Sequence, residues 1–272
     1  MIFFASKEKV EDLLYQAMSF MEKGQAKDAI PFFKKIIKQE PKNIDALHNH
    51  GLALNQLKKY QDAITCFDKV LKINPEYIAA INNRGIALAE LGNTDDAFEY
   101  YNKAIKINPK YAAAHYNKGV LYDKLLQHDE AIQSLDEAIK WDSGNVNTAF
   151  YRGVVLGKMK KHEEALNCFE NIYRKHPKHM DAFFHKGMEL AELGKHERAL
   201  EIFDKLLRVH EGNVNVIYAM ARSNAAISNV DKALYLLELA VKKNRKTTKK
   251  WAIEDEFFDS LQDELKFARL IK

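Results

Sequence analysis

"INPEYIAAINNRGIA", residues 73–87, returns as "INPKYAAAHYNKGVL" at residues 107–121, an offset of 34 residues. Sliding the whole chain by that interval aligns one column without a gap: Ala29, Ala63, Ala97, Ala131, Ala165, Ala199 and Ala233. Twelve positions earlier stand Ala17, Gly51, Gly85, Gly119, Gly153, Gly187 and Ala221. Four positions later stand Phe33, Phe67, Tyr101, Leu135, Phe169, Phe203 and Leu237, and Pro41, Pro75, Pro109 and Pro177 close four of the units. A fixed period of this size, repeated seven times, is the signature of a solenoid.

Each unit reads as two helices. Over residues 78–91, Ile78, Ile81, Gly85, Leu88 and Leu91 recur at three- and four-residue steps, one face of a helix. A turn is predicted at Gly92-Asn93, and the acids Asp95 and Asp96 then suit the positive end of a second helix. That helix should stop before Pro109, which cannot continue it. The small residues Gly85 and Ala97 let the two helices approach, and the aromatic one turn on is expected to fill the gap to the neighbouring unit. Neither helix buries its face alone, so the units must stack. Pro31, early in the second helix of the first unit, is expected to distort it.

At 272 residues, 47% hydrophobic and 29% charged, the chain has the composition of a folded protein. Apolar runs fall short of a membrane span, and "MIFFASKEKVEDLL" turns charged too soon to read as a secretory signal. Cys66 and Cys168 do not make a disulfide framework, so a cytoplasmic location is expected. The formal charge of +4 rests on one segment, "KKNRKTTKK" at residues 242–250; without its six basic residues the balance is 36 basic to 38 acidic. It reads as a solvated loop, and nucleic acid is not the expected ligand, because no aromatic side chains interleave the charges.

The spacing of small residues, aromatic and Pro resembles the tetratricopeptide repeat. That resemblance implies an all-α fold, a right-handed α-solenoid (superhelix) of antiparallel helix pairs. The expected organisation is a lead-in at 1–9, seven repeats of 34 residues over 10–247, and a C-terminal helical cap at 248–272. Trp251, Phe257, Phe258 and Phe267 are the cap's expected cover over the last repeat.

The resemblance also implies that the first helices line a concave groove. Numbering each unit so that the recurring Gly is position 8, positions 5 and 6 point away from the paired helix. The groove residues expected on this basis are Tyr15, Asn49, Asn82, Asn83, Tyr116, Asn117, Phe150, Tyr151, Phe184, His185 and Tyr218. Asn49, Asn83 and Asn117 would form a ladder whose amide donors and acceptors match an extended backbone of any sequence. The arrangement resembles the asparagine ladder of the O-GlcNAc transferase family. Tyr116, Phe150, Tyr151, Phe184 and Tyr218 would add an apolar strip of the kind that marks contact sites. No unit has Lys at position 5 or Asn at position 9, so the clamp that some relatives use for C-terminal carboxylates is missing.

His128, His162 and His196 form a column at position 17 and are expected to pack as rings; neither they nor His176 and His179 converge on one ion, so no metal is expected. Arg84, Lys118, Arg152 and Lys186 at position 7 are expected to lay their stems on apolar surface with the heads in water. The sequence holds no phosphate-cradling glycine loop and no nucleophile beside a base, so neither catalysis nor a cofactor is expected. The expected function is a protein–protein interaction scaffold that holds an extended peptide or partner helix. The alternatives are a regulatory subunit of an enzyme whose chemistry lies on another chain, and a self-assembling solenoid.

Overall fold

The computed structural model describes residues 9–272; most of the expected lead-in, residues 1–8, lies outside the described residues. The described chain is a tandem series of helices without strands, falling into two compact units divided after Gly144. The first holds α1 (Val10–Glu22), α2 (Ala26–Gln39), α3 (Ile44–Gln56), α4 (Tyr60–Ile73), α5 (Ile78–Glu90), α6 (Thr94–Ile107), α7 (Ala112–Lys124) and α8 (His128–Trp141). The second holds α9 (Val146–Lys158), α10 (His162–Lys175), α11 (Met180–Glu192), α12 (His196–Val209), α13 (Val214–Ala226) and α14 (Val230–Lys243). It ends with α15 (Arg245–Glu254), a 3-10 helix (Glu256–Leu261) and α16 (Leu265–Ile271). Every first helix of the seven pairs is 13 residues long and every second helix 14, as a 34-residue period with two short turns requires.

The quoted stretch explains how the pairs are joined. Asn74 and Asn108, just before the prolines, accept the backbone N–H groups of Glu76 and Lys110 at 3.1 and 3.0 Å. These side-chain turns reverse the chain between pairs. Within each pair the turn sits at position 15, and there all seven units adopt the left-handed conformation: Gly24, Lys58, Gly92, Leu126, Lys160, Gly194 and Ser228 have φ between 58° and 85°. In each case the next N–H reaches back five residues, as from Asn93 to Leu88 O at 2.9 Å and from Gln127 to Tyr122 O at 2.9 Å. This closing loop satisfies the last carbonyls of the first helix.

Within a pair, contact is limited by the residue at position 8. A Cβ built on Gly51 would lie 2.5 Å from the Phe67 ring, on Gly153 2.8 Å from Phe169, and on Gly187 2.6 Å from Phe203. The aromatic at position 24 therefore fills the gap above the glycine of its own pair, and it also reaches the neighbouring unit as the spacing suggests: the Phe169 ring stacks 5.0 Å from His185 of the next pair. In these three pairs the ring lies where a Cβ would otherwise stand. Pro31 does not break α2, which runs unbroken through it. Pro31 is exposed, so water reaches the carbonyl that loses its partner.

From α11 onward the second unit shares one core, in which Ala252, Phe258, Leu261 and Phe267 of the C-terminal segment are fully buried with Leu237 and Ala240 of α14. The basic run 242–250 is not a loop. It spans the end of α14 and the start of α15, with Asn244 capping α15 through Thr247 N at 3.3 Å. Helix α15 thus begins at Arg245, three residues ahead of the expected cap boundary.

Candidate functional site

Adjacent first helices touch directly, α3 with α5, α5 with α7 and α11 with α13. On α3, α5 and α7 this contact carries a chain of polar side chains. Asn117 Nδ2 donates to Asn82 Oδ1 at 2.9 Å, Asn82 Nδ2 to Asn83 Oδ1 at 3.4 Å, and Asn83 Nδ2 lies 3.0 Å from His48 Nε2. Asn83 and Asn117 therefore belong to one network, joined through Asn82, which is 3% exposed. Asn49 stands apart, because its amide donates to Asp45 O of its own helix at 2.8 Å. Burial also holds His48 below the ordinary histidine pKa, which keeps its ring neutral and able to accept.

The aromatic residues fall at different depths. Tyr15 is open to solvent at 78% exposure, whereas Tyr116, Phe150, Tyr151, Phe184 and His185 are half-buried. The Phe150 ring lies 5.4 Å from Phe169, 5.3 Å from His179 and 5.2 Å from His185, so it joins two successive pairs. Phe184, one unit on, lies 5.9 Å from Phe203 of its own pair. At Phe150 position 5 is thus a half-buried packing position between neighbours, more than a free strip. Tyr218 is 8% exposed and packs on the cap, its ring 5.2 Å from Trp251 and 5.7 Å from Phe258.

Where the first helices meet the cap, an open pocket of about 580 Å³ forms, walled by Phe184, Tyr218 and Trp251. Asp255 Oδ2 accepts from the Tyr218 hydroxyl at 2.8 Å and pairs with Arg222 Nε at 2.7 Å. Burial and the Asp255 carboxylate push the Tyr218 phenol far above the ordinary tyrosine pKa, so it stays a donor. Arg222 also meets Glu192 Oε1 at 2.9 Å and lies 4.3 Å from the centre of the Phe257 ring. Sequence reasoning missed Arg222, Glu192, Trp251 and Asp255 as site residues. The one available signal was Arg222 itself, the single charged residue in a position-9 column of Met18, Leu52, Ile86, Val120, Val154 and Met188.

Two members of the histidine column meet carboxylates. His128 Nδ1 is 3.1 Å from Asp123 Oδ1 and His162 Nδ1 is 2.7 Å from Glu189 Oε2, while His196 stands edge-on to Phe257. Burial raises the Glu189 carboxyl pKa, and the bond from His162 opposes that rise. Among the described residues no group of three His, Cys, Asp or Glu side chains is placed to hold a metal ion. The position-7 cations do not end in water alone. Arg84 meets Asp68 at 2.7 Å, Lys118 meets Asn102 at 2.9 Å and Lys186 meets Glu170 at 2.8 Å, each reaching the second helix of the preceding pair. Arg152 instead donates to Cys168 Sγ of its own pair at 3.3 Å. No helix among the described residues is long and apolar enough to cross a membrane.

Two family models of the tetratricopeptide repeat match this chain, one over residues 43–110 and 77–141 and another over 152–214. A third, for the anaphase-promoting complex, cyclosome, subunit 3, matches residues 2–70. Among curated proteins none matches. Of solved structures, a tetratricopeptide repeat protein from Parabacteroides merdae is 22% identical, with a TM-score of 0.61 over 89% of this chain and 96% of that one. YrrB, a repeat protein with an unusual peptide-binding site, is 24% identical, with a TM-score of 0.59 over 69% of this chain and 97% of its own. Pseudomonas aeruginosa pilF is 20% identical, with a TM-score of 0.65 over 78% of this chain and 97% of its own. At such identities the likeness is one of fold.

Proposed function

The chain is a tetratricopeptide-repeat protein of seven helix pairs closed by a C-terminal cap, and on that premise we propose that it is a non-catalytic scaffold gripping an extended peptide along its first helices. Proteins of this family generally mediate protein–protein interactions. The observation that supports the finer reading is the polar chain from Asn117 through Asn82 and Asn83 to His48. It crosses three adjacent first helices and fixes the orientation of each amide. An amide has two donors and two acceptor sites, so Asn83 and Asn117 keep capacity beyond the bonds within the chain. Those spare sites sit one repeat apart on one layer of helices, where a peptide backbone would find them already aligned. Preorganisation of this kind lowers the ordering cost of binding. YrrB carries a peptide-binding site on a similar fold, which is compatible with this use.

The test is selection of peptides from a random display library on the full chain, then calorimetric titration of a selected peptide. Replacing Asn83 and Asn117 with Ala removes hydrogen bonds worth roughly 0.5–1.5 kcal/mol apiece, so the double variant should bind about fivefold to 150-fold more weakly. Asn117→Ala also leaves Oδ1 of buried Asn82 without its donor, so a fall in melting temperature is expected and titration must be done well below the melt. Asn49→Ala, which breaks only a bond to its own helix, serves as the folded control. Affinity unchanged in the folded double variant would end the groove assignment.

A further inference from the structure

The pocket beneath the cap has a chemistry that the rest of the first-helix layer lacks. Its walls are the rings of Phe184, Tyr218 and Trp251, with Tyr218 and Trp251 meeting at 59° to make a corner. Around them stand Glu192, Asp255, Glu254 and Glu256, against one cation, Arg222. Arg222 is already engaged by Glu192 and Asp255, at 2.9 and 2.7 Å. Glu254 and Glu256 are exposed and form no ion pair among the described residues, so the pocket keeps an excess of negative charge at its mouth. None of the basic residues of 242–250 lines it.

Aromatic faces and carboxylates attract the same kind of ligand. The ring quadrupole is negative over its face, and it holds a cation best where water is partly excluded. An anion would meet repulsion from both; a purely apolar group would leave the carboxylates unanswered. The molecule shows the fitting arrangement in Arg222, whose guanidinium lies over Phe257 while two carboxylates hold its nitrogens, and again in Arg84, 4.2 Å from the Tyr100 ring centre and 2.7 Å from Asp68. At about 580 Å³ the pocket falls in the usual range of roughly 300–1,000 Å³ for ligand sites, enough for one long side chain and the peptide that carries it.

The geometry points to a cationic side chain of the bound peptide, an arginine, seated in the pocket against Trp251 and Tyr218 with its head at Glu254 and Glu256. This deepens the groove reading and rests on it for the partner's being a peptide, since it names a residue type that such a partner would present to the second unit. Arginine is preferred to lysine because a planar guanidinium stacks on a ring and forks to two carboxylates at once.

The chain has two tryptophans, so Trp141→Phe leaves Trp251, in the pocket wall, as the sole tryptophan reporter under selective tryptophan excitation. The probes are the blocked pentapeptide Gly-Ala-Arg-Ala-Gly and its twin with citrulline, which has the same shape without the charge. The expected result is a saturable change with the arginine peptide and binding weaker by roughly tenfold with citrulline. The double substitution Glu254→Gln and Glu256→Gln should remove most of that difference. Calorimetry on the unmodified chain repeats the comparison without the Trp141 substitution. Equal response to both peptides, or no saturable response, overturns the assignment. A signal that depends on protein concentration without any peptide would make a second copy the occupant, and overturns it equally. The Asn83→Ala, Asn117→Ala variant separates the two proposals, because those residues lie in the other compact unit. Loss of the arginine preference with the groove peptide still sensitive to that variant sinks only the pocket. The opposite pattern sinks only the groove.

Discussion

Position 15 of the repeat offers a test in which the sign of the effect is set by the backbone. Lys58, Leu126 and Lys160 hold φ of 59°, 61° and 58°, where Gly24, Gly92 and Gly194 stand in sister units. A side chain in the left-handed region costs about 1–2 kcal/mol, because Cβ crowds the following carbonyl oxygen. Glycine removes that strain but returns about 0.5–1 kcal/mol through the greater freedom of the unfolded chain. Little else is lost, since Leu126 is 78% exposed and Lys58 and Lys160 are exposed as well. Each replacement by Gly should therefore gain about 0.5 kcal/mol, and the three, lying in separate turns, should add to about 1–2 kcal/mol. For a chain of this length that is a rise of roughly 3–6 °C in the thermal midpoint followed by circular dichroism at 222 nm. The reverse change, Gly92→Ala at φ 85°, should lower the midpoint by a similar amount per site. A lower midpoint in the triple glycine variant, or a higher one in Gly92→Ala, would refute the argument that these turns store strain.

Phe258→Ala should cost about 3–5 kcal/mol, because its side chain is fully buried in the core of the second unit, and deleting 248–272 should make the chain oligomerise; sedimentation of a monomer with an unchanged melt would count against both. Gly119→Leu should cost about 1–3 kcal/mol, since even its Cβ would lie 2.9 Å from Leu135 Cγ and 3.1 Å from Ala131 O; a chemical denaturation midpoint equal to that of the parent would show that the pair has room to spare. His50, whose pKa burial lowers to about 4, should make stability fall with acid. The unfolded chain binds its proton near pH 6.5 and the folded chain only near 4, so stability is intact above 6.5 and declines between those values by as much as about 3 kcal/mol. His50→Gln should flatten this decline, which urea titrations at pH 7 and 4.5 would detect.

The pairing of helices was legible in the sequence, because period and packing are both local facts. Ala97 and Gly85 lie twelve residues apart on two short helices joined by one turn, and their partners follow from helical geometry alone. The acids that begin the second helices and the prolines between pairs act within one turn of their own position. What the sequence could not show depends on where the next repeat lies. The left-handed backbone at Lys58, Leu126 and Lys160 is invisible in side chains that do not favour it; the tight turn between the paired helices imposes it. Phe67 and Phe169 sit where a Cβ on Gly51 or Gly153 would come within 2.5 Å and 2.8 Å of their rings, and Phe169 also stacks 5.0 Å from His185 of the next pair, a partner that its own repeat does not specify. Asn82 and Asn83 are neighbours in sequence, yet one is buried and the other half-buried, because the following first helix covers one of them. The pocket is the extreme case. Phe184, Arg222 and Asp255 are separated by more than thirty residues at each step and belong to two repeats and the cap. Helical periodicity states which face a residue occupies, but what stands opposite that face is a property of the stacked chain.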